Sequence, residues 1–294
     1  MLYDEKTLKK IRRRRTGQFY DVWRRFKKNR ASLVGGTIVL GMVVMALLAP
    51  LIAPYNPTQT FHGEELNPPS SKFLLGTDLL GRDMLSYIIY GARTSLLVAL
   101  GGVTIEILLA LLIGGFGGYF GGYIDELLSR FSEIVMTMPT LILLITAVAM
   151  FRVRSLLLIM IIMGLLGWPW MARVIRAQFY SLKEQTYVES ARSMGFRDRY
   201  IIFHHILPNA LSSIIVLATL DAAYYILYEA TLSFLGLGDP LAISWGILVS
   251  LGRKVIRSAW WVSTFPGLMI FLIVMALNLL GDGLRDALDV RAER

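Results

Sequence analysis

Three carboxylates lie in stretches apolar enough to cross a membrane, and their position is the first sign of chemistry in this sequence. Asp221 and Glu229 are about two helical turns apart, on roughly one face of a helix, and Glu106 lies in an earlier apolar stretch. A charged group in hydrocarbon is costly, so such residues usually have a function. Asp221 could line an aqueous path or form an interhelical hydrogen bond. Glu229 could also lie at the outer interface, whereas Glu106 is more typical of helix packing.

Residues for covalent or metal chemistry are scarce. The chain has no cysteine, and its histidines are His62 and the adjacent pair His204 and His205, which lacks the i, i+4 spacing of a helical zinc pair. The glycine-rich run at 114–122 is followed by no Gly-Lys-Ser/Thr, so its small-xxx-small spacing indicates helix packing rather than phosphate binding. We therefore expect a chain that is not an enzyme and binds no metal or cofactor itself.

The longest polar insertion between apolar segments in the second half of the chain covers residues 189–208. Apolar residues upstream of it recur near the helical period. Gly195 is suited to end a helix in a left-handed conformation, a second short helix is expected near Asp198, and Pro208 fits the first turn of the next membrane helix. The pattern predicts two short helices joined at a glycine and held at a membrane face. An amphipathic hairpin lying on the membrane is the alternative.

Composition indicates the fold that must position these residues. The 294 residues are 55% hydrophobic and 17% charged, with a mean hydropathy of +0.57, whereas soluble domains carry about 25% charged residues. We predict an all-α membrane protein with six transmembrane helices. Pro139 interrupts the third of these spans and is a candidate gate or hinge. The predicted spans are residues 31–54, 93–115, 127–151, 155–171, 209–235 and 259–280.

Charge distribution predicts the orientation. Residues 1–30 form a basic arm with 12 Lys and Arg against 3 acidic residues, which favours the cytoplasmic side and contact with anionic lipids. Residues 55–92 are then an external loop, residues 172–208 lie inside, and residues 281–294 form a polar tail inside. Both termini are expected in the cytoplasm.

A family resemblance is carried first by the polar stretch. Its residues are similar to the "EAA" loop of permease subunits from binding-protein-dependent ABC importers, with Ser190 in place of the first alanine. The matching residues are Glu189, Ala191, Gly195, Ile206 and Pro208.

This resemblance implies roles for residues of the loop. The segment that includes Arg192 would dock into a groove on an ATPase, with Ser190 and Ala191 permitting close approach. Gly195 would set the bend, and Glu189 would cap a helix end or pair with a basic residue.

Two further motifs resemble the C-type subunit of dipeptide and oligopeptide permeases. Residues 76–83 read Gly-Thr-Asp-Leu-Leu-Gly-Arg-Asp, in which Asp78, Arg82 and Asp83 either form a compact turn with internal salt bridges or touch a docked binding protein. Residues 229–238 match a second motif, which favours a structural role for Glu229 at an outer gate.

The resemblance covers nearly the whole chain and implies a type I ABC importer permease fold, with a five-helix core at residues 93–280 and the coupling loop at 172–208. Implied partners are a second homologous permease, two ATPase subunits that bind ATP and Mg, an extracytoplasmic solute-binding protein and membrane lipids, with no nucleic acid. The implied location is the inner membrane of a prokaryote.

The implied cargo is a di- or oligopeptide, whose amino end Asp221 or Glu229 could meet. Nickel chelates, glutathione and oligosaccharides remain open. A stand-alone secondary transporter is the alternative class, but it would require inverted repeats and midplane charges. A membrane-embedded hydrolase would need a nucleophile and a base within the spans, where no histidine lies.

Overall fold

The computed structural model describes residues 23–151 and 154–288, and within these ranges the regular elements are helices. Most of the predicted basic arm, with residues 1–22, and the end of the predicted tail, residues 289–294, lie outside the described residues. Residues 23–28 are helical. Helix α1 (Arg30–Leu47) is capped by Asn29, whose side chain accepts from the Ser32 amide, and the short α2 (Ala49–Ile52) follows.

Helix α3 (Met84–Ala110) begins earlier than the predicted start near residue 93. Asp83 caps it by accepting a hydrogen bond from the Ser86 amide, and this ends the external loop. A π-helical turn (Leu111–Gly115) and α4 (Phe116–Phe120) continue the same span. A Cβ at Gly118 would lie 2.5 Å from the Arg176 carbonyl oxygen, so the glycine-rich run serves close helix packing, as predicted.

The predicted third span is two helices rather than one. Helices α5 (Gly122–Met136) and α6 (Thr140–Met150) meet at a bend of 86°, and Pro139 occupies the N-cap of α6. The break at the proline was predicted, but its sharpness was not. No residue of α5 is buried, and Tyr123 on its apolar side is 91% exposed.

Helix α7 (Leu156–Lys183) extends well beyond the predicted end of the fourth span at residue 171. Pro169 lies inside it, and its lower half buries Ile175 and Phe179. The predicted inside segment 172–208 therefore begins as a continuation of a membrane helix. The Arg176 side chain in this half of the helix is 42% exposed, and its guanidinium pairs with Asp125 of α5 at 2.6 Å.

The remaining elements complete the bundle. Helices α8 (Thr186–Ser193) and α9 (Asp198–Ile201) are followed by a π-helical turn (Ile202–Ile206), α10 (Leu207–Phe234), α11 (Trp245–Arg253) and α12 (Trp261–Leu288). Helix α12 runs through part of the predicted tail. Among the residues that the structure describes, five helical stretches are long and apolar enough to cross a membrane, and counting the bent α5–α6 pair gives six.

Candidate functional site

The polar stretch folds as a two-helix hairpin, formed by α8, Gly195 and α9, which we call the coupling hairpin. Gly195 has a φ of +78°. Its amide donates to the Arg192 carbonyl at 3.0 Å, and the Phe196 amide donates to the Ala191 carbonyl at 3.2 Å. These two bonds close the end of α8 in a Schellman motif, which requires a left-handed residue at that position. The predicted glycine bend, the start of the second helix at Asp198 and Pro208 in the first turn of α10 are confirmed.

The candidate coupling residues divide between two faces of the hairpin. Glu189, Ser190, Arg192 and Gly195 are exposed, whereas Ala191 is 2% exposed and packs inward. The Glu189 carboxylate lies in the first turn of α8, where the helix dipole favours it, and it has no ion-pair partner among the described residues. The Ser190 hydroxyl donates to the Thr186 carbonyl at 2.8 Å.

The inward face of the hairpin is part of the core. Val188, Ala191, Ile201 and Ile206 are buried, and they belong to a hydrophobic cluster that includes Phe179 of α7. The hairpin is therefore a packed extension of the membrane helices rather than a flexible loop.

A tyrosine that sequence reasoning missed ties the hairpin to α4. The Tyr119 hydroxyl donates to Asp198 Oδ1 at 2.6 Å, and the Arg192 guanidinium lies 6.0 Å from the centre of its ring. Lys183, at the end of α7, donates to the Tyr119 carbonyl at 3.4 Å. Both arms of the hairpin therefore contact one residue. The sequence feature that could have indicated Tyr119 is its position near the end of a glycine-rich membrane span, where the hydroxyl of a tyrosine can reach a polar partner.

The outward face of the hairpin exposes aromatic and apolar side chains. Tyr200 stacks between Phe196 and His204, with ring-centre distances of 4.7 and 4.2 Å. Met194 is 67% exposed. Partial burial raises the pKa of the Tyr187 phenol above its ordinary value, although the hydrogen bond from Asn209 opposes this. An apolar patch of this kind, rimmed by charges, is typical of a protein interface.

The predicted external turn is built from internal bonds. Asp78 is 1% exposed, its Oδ1 accepts from the Leu80 and Arg82 amides at 2.8 and 2.9 Å, and its Oδ2 pairs with the Arg82 guanidinium at 2.6 Å. Asp83 is 2% exposed and also accepts from the Ser86 hydroxyl at 2.6 Å. The geometry is that of the compact turn. Contact of these residues with a binding protein stays a prediction.

The structure groups the membrane carboxylates differently from the sequence, in which helical spacing placed Asp221 and Glu229 on one face. Asp221 and Glu106 line one cavity of about 270 Å³, together with Tyr225 and Thr140 at the start of α6. Glu229 lies elsewhere, 1% exposed, where the Ser233 hydroxyl donates to its Oε1 at 2.7 Å. Pro139 precedes the cavity wall formed by α6.

Comparisons with known proteins agree with this arrangement. Residues 106–294 match the family described as "Binding-protein-dependent transport system inner membrane component", and residues 17–69 match the "N-terminal TM domain of oligopeptide transport permease C". The dipeptide transport system permease protein DppC of Alkalihalophilus pseudofirmus is 39% identical, over 92% of this chain and 88% of that protein.

Other relatives carry different cargo names. The glutathione transport system permease protein GsiD of Pectobacterium atrosepticum is 38% identical, over 92% of this chain and 90% of that protein. The oligopeptide transport system permease protein OppC of Bacillus subtilis is 34% identical, over 97% and 93%. A solved structure of the MetNI methionine ABC transporter in inward-facing conformations has a TM-score of 0.55 at 19% identity, covering 69% of this chain and 97% of that chain, which shows a shared fold.

Proposed function

The chain belongs to the family of inner-membrane components of binding-protein-dependent transport systems, and on that basis we propose that it forms half of the translocation path for di- and oligopeptides in an ATP-driven importer. The family consists of membrane permeases and not of enzymes. ATP and Mg would be bound by separate ATPase subunits. A second permease of similar fold would supply the other half of the path, and an extracytoplasmic binding protein would deliver the cargo.

The observation that carries this proposal is the coupling hairpin. Its inner face is packed on α7, and Tyr119 contacts both of its arms, so it would move with the membrane helices. Its outer face exposes Glu189, Ser190 and Arg192 beside an aromatic patch. An ATPase that receives this face in a groove would transmit its closure on ATP to the helices as a rigid-body motion. In this proposal Gly195 sets the bend and Pro208 begins the helix that carries the motion into the membrane.

The proposed cargo is a peptide because the compared relatives include permeases named for dipeptides and oligopeptides. Glutathione is a second candidate that a relative's name favours. Nickel chelates and oligosaccharides are the other cargoes that the family resemblance allows. Asp221 in the cavity wall and Pro139 at the α5–α6 bend are the candidate path and gate residues, and Glu229 would stabilise the outer gate. We further propose that both termini face the cytoplasm, which places the hairpin on the side of the ATPases.

Extraction of a tagged chain from its native membrane in a mild detergent tests the assignment. We expect ATPase subunits and one similar permease to co-purify, and ATP to drive peptide uptake when the complex and its binding protein are reconstituted. A chain that purifies alone and transports without ATP would instead be a secondary carrier.

A charge-reversal pair tests the hairpin itself. Glu189→Lys should weaken ATPase retention because it places a positive charge at the start of α8, on the outward face. Glu184→Lys is the matched control, since Glu184 is also exposed but lies at the end of α7. Equal ATPase retention by both variants would contradict the docking of this face.

A further inference from the structure

Two membrane carboxylates share one cavity without a cation to balance them. Glu106 is 2% exposed and its Oε2 has no hydrogen-bond partner, and Asp221 Oδ2 also lacks one. The two groups come from different helices, α3 and α10, and both line the same cavity. The described residues that line the cavity include no Lys, Arg or His. Most buried polar atoms in proteins have a hydrogen-bond partner, so two unpaired carboxylate oxygens at one cavity call for an explanation.

The neighbouring tyrosine does not fill this need. The Tyr225 hydroxyl donates its proton to the Met163 carbonyl at 3.0 Å, and Glu106 Oε2 has no hydrogen-bond partner. Gly167 makes room for both groups, because a Cβ there would collide with the Tyr225 hydroxyl and lie 3.4 Å from the Glu106 carboxyl carbon. Gly167 thus lets the Tyr225 hydroxyl and the Glu106 carboxyl group lie side by side at the cavity wall.

We propose that Glu106 and Asp221 together bind the ammonium group of the cargo's amino terminus on its way through the membrane. The inference rests on the proposed peptide import and names the part of the cargo that this chain recognises. Paired carboxylates attract a cation that the cavity walls do not supply. Release would follow when motion of α3 relative to α10 separates the two carboxylates.

Aromatic walls favour an organic ammonium over a metal ion. Four aromatic side chains line the cavity, and their faces attract ammonium groups through cation–π contacts. They are Trp170, Tyr224, Tyr225 and Tyr228. Hard divalent cations prefer about six oxygen ligands, and no group of three or more His, Cys, Asp or Glu residues in the described ranges could hold a metal.

The size of the cavity limits what it holds. Its volume of about 270 Å³ lies just below the roughly 300–1,000 Å³ of a pocket for a drug-sized ligand. The amino-terminal residue of a peptide fits such a space, whereas a whole oligopeptide does not. Recognition of the amino end alone is compatible with cargo of different lengths.

Protection from a hydrophobic carbodiimide tests the proposal without ATP or binding protein. The purified complex in lipid nanodiscs is labelled, and modification of Glu106 and Asp221 is measured by mass spectrometry. Alanylalanine at about ten times its half-protecting concentration should slow labelling by about tenfold, as one-site occupancy requires. N-acetyl-alanylalanine and potassium chloride, at the same concentration, should not slow it.

Two isosteric variants localise the effect. In Glu106→Gln the half-protecting concentration measured at Asp221 should rise at least about tenfold, and Asp221→Asn should do the same when Glu106 is measured, because each removes half of the charge facing the ammonium. Glu126→Gln, which removes an exposed carboxylate outside the cavity, should leave it unchanged.

Three results would overturn the proposal. Equal protection by the free and the acetylated dipeptide would exclude recognition of the amine. Protection by potassium ions as strong as by the dipeptide would make the site one for inorganic cations. Absence of any protection would mean that the two carboxylates simply share a proton. Failure of the wild-type complex to import alanylalanine with ATP is a separate result, and it would overturn the proposed dipeptide cargo instead.

Discussion

Substitutions of Gly195 distinguish two contributions to ATPase docking, the backbone bend of the coupling hairpin and the shape of its surface. The residue has a φ of +78°, and an added Cβ would meet no atom within 4 Å. Alanine at this position therefore causes no collision within the chain, and its cost is the backbone strain of a left-handed L-residue, about 1 kcal/mol. Asparagine tolerates this conformation better than alanine, so Gly195→Asn has a larger side chain but less strain.

The strain acts on docking through the Schellman bonds. If Gly195→Ala relaxes toward negative φ, the Gly195 and Phe196 amides lose their bonds to α8, and docking must restore the bend. A cost of about 1 kcal/mol corresponds to roughly a fivefold weaker affinity for the ATPase. We expect Gly195→Asn to lose less than this, and Gly195→Asp to lose at least as much as the asparagine variant, since it adds a charge to the interface.

The assay is titration of purified ATPase onto the permease in nanodiscs, with cargo-stimulated ATP hydrolysis as a second readout. Gly63→Ala is the strain-matched control: its φ is +81°, its Cβ position is equally open, and it lies in the predicted external loop. It should leave ATPase affinity unchanged. Equal loss in the alanine and asparagine variants would show that the surface and not the bend is sensitive, and wild-type affinity in both would refute the reasoning.

Three further substitutions test the surroundings of the site. Tyr119→Phe removes the hydrogen bond to Asp198, and such a bond to a charged acceptor is worth about 1.5–3 kcal/mol. The variant should lower cargo-stimulated ATP hydrolysis while the ATPase still binds, and unchanged stimulation would contradict the positioning role of Tyr119. Asp83→Ala removes the cap of α3 and should lower the free energy of unfolding by about 1 kcal/mol, seen as a lower thermal unfolding midpoint. Asp83→Asn should keep the cap and the midpoint, and equal midpoints for the two variants would contradict the capping. Gly118→Ala should cost about 1–3 kcal/mol by the same measurement, because it pushes α4 from the α7 backbone, and a neutral effect would contradict close packing there.

Local patterns in the sequence predicted local structure well. The glycine bend at Gly195 and the start of a helix at Asp198 follow from rules that act over a few residues. The lower half of α7 was missed because Trp168 and Trp170 were interpreted as marking the membrane interface where the span ends. Arg176 pairs with Asp125, a residue far away in the chain, and no local pattern reveals such a partner.

The candidate path shows the same limit. Helical spacing grouped Asp221 with Glu229, because spacing relates only residues on one helix. The structure brings Asp221 to Glu106 of α3 instead, and buries Glu229 against Ser233. The pairing of helices depends on side-chain packing. Here Gly167 leaves room for the side chains of Tyr225 and Glu106 from neighbouring helices. Glu106, which was predicted to be a helix-packing residue, thus lines the cavity.

The hairpin and the cavity are connected by continuous helices. Helix α7 carries Gly167 in the cavity wall and ends at Lys183 beside the hairpin, about 24 Å further along at 1.5 Å per residue. On the other side of the hairpin, α9, the π-helical turn and α10 form one uninterrupted helical stretch that reaches Asp221. A rotation of the hairpin would therefore turn two walls of the cavity together. Glu106 lies on α3, whose span ends in α4, and there Tyr119 contacts both arms of the coupling hairpin. Motion of the hairpin would therefore reach Asp221 through α10 and Glu106 through α4 and α3.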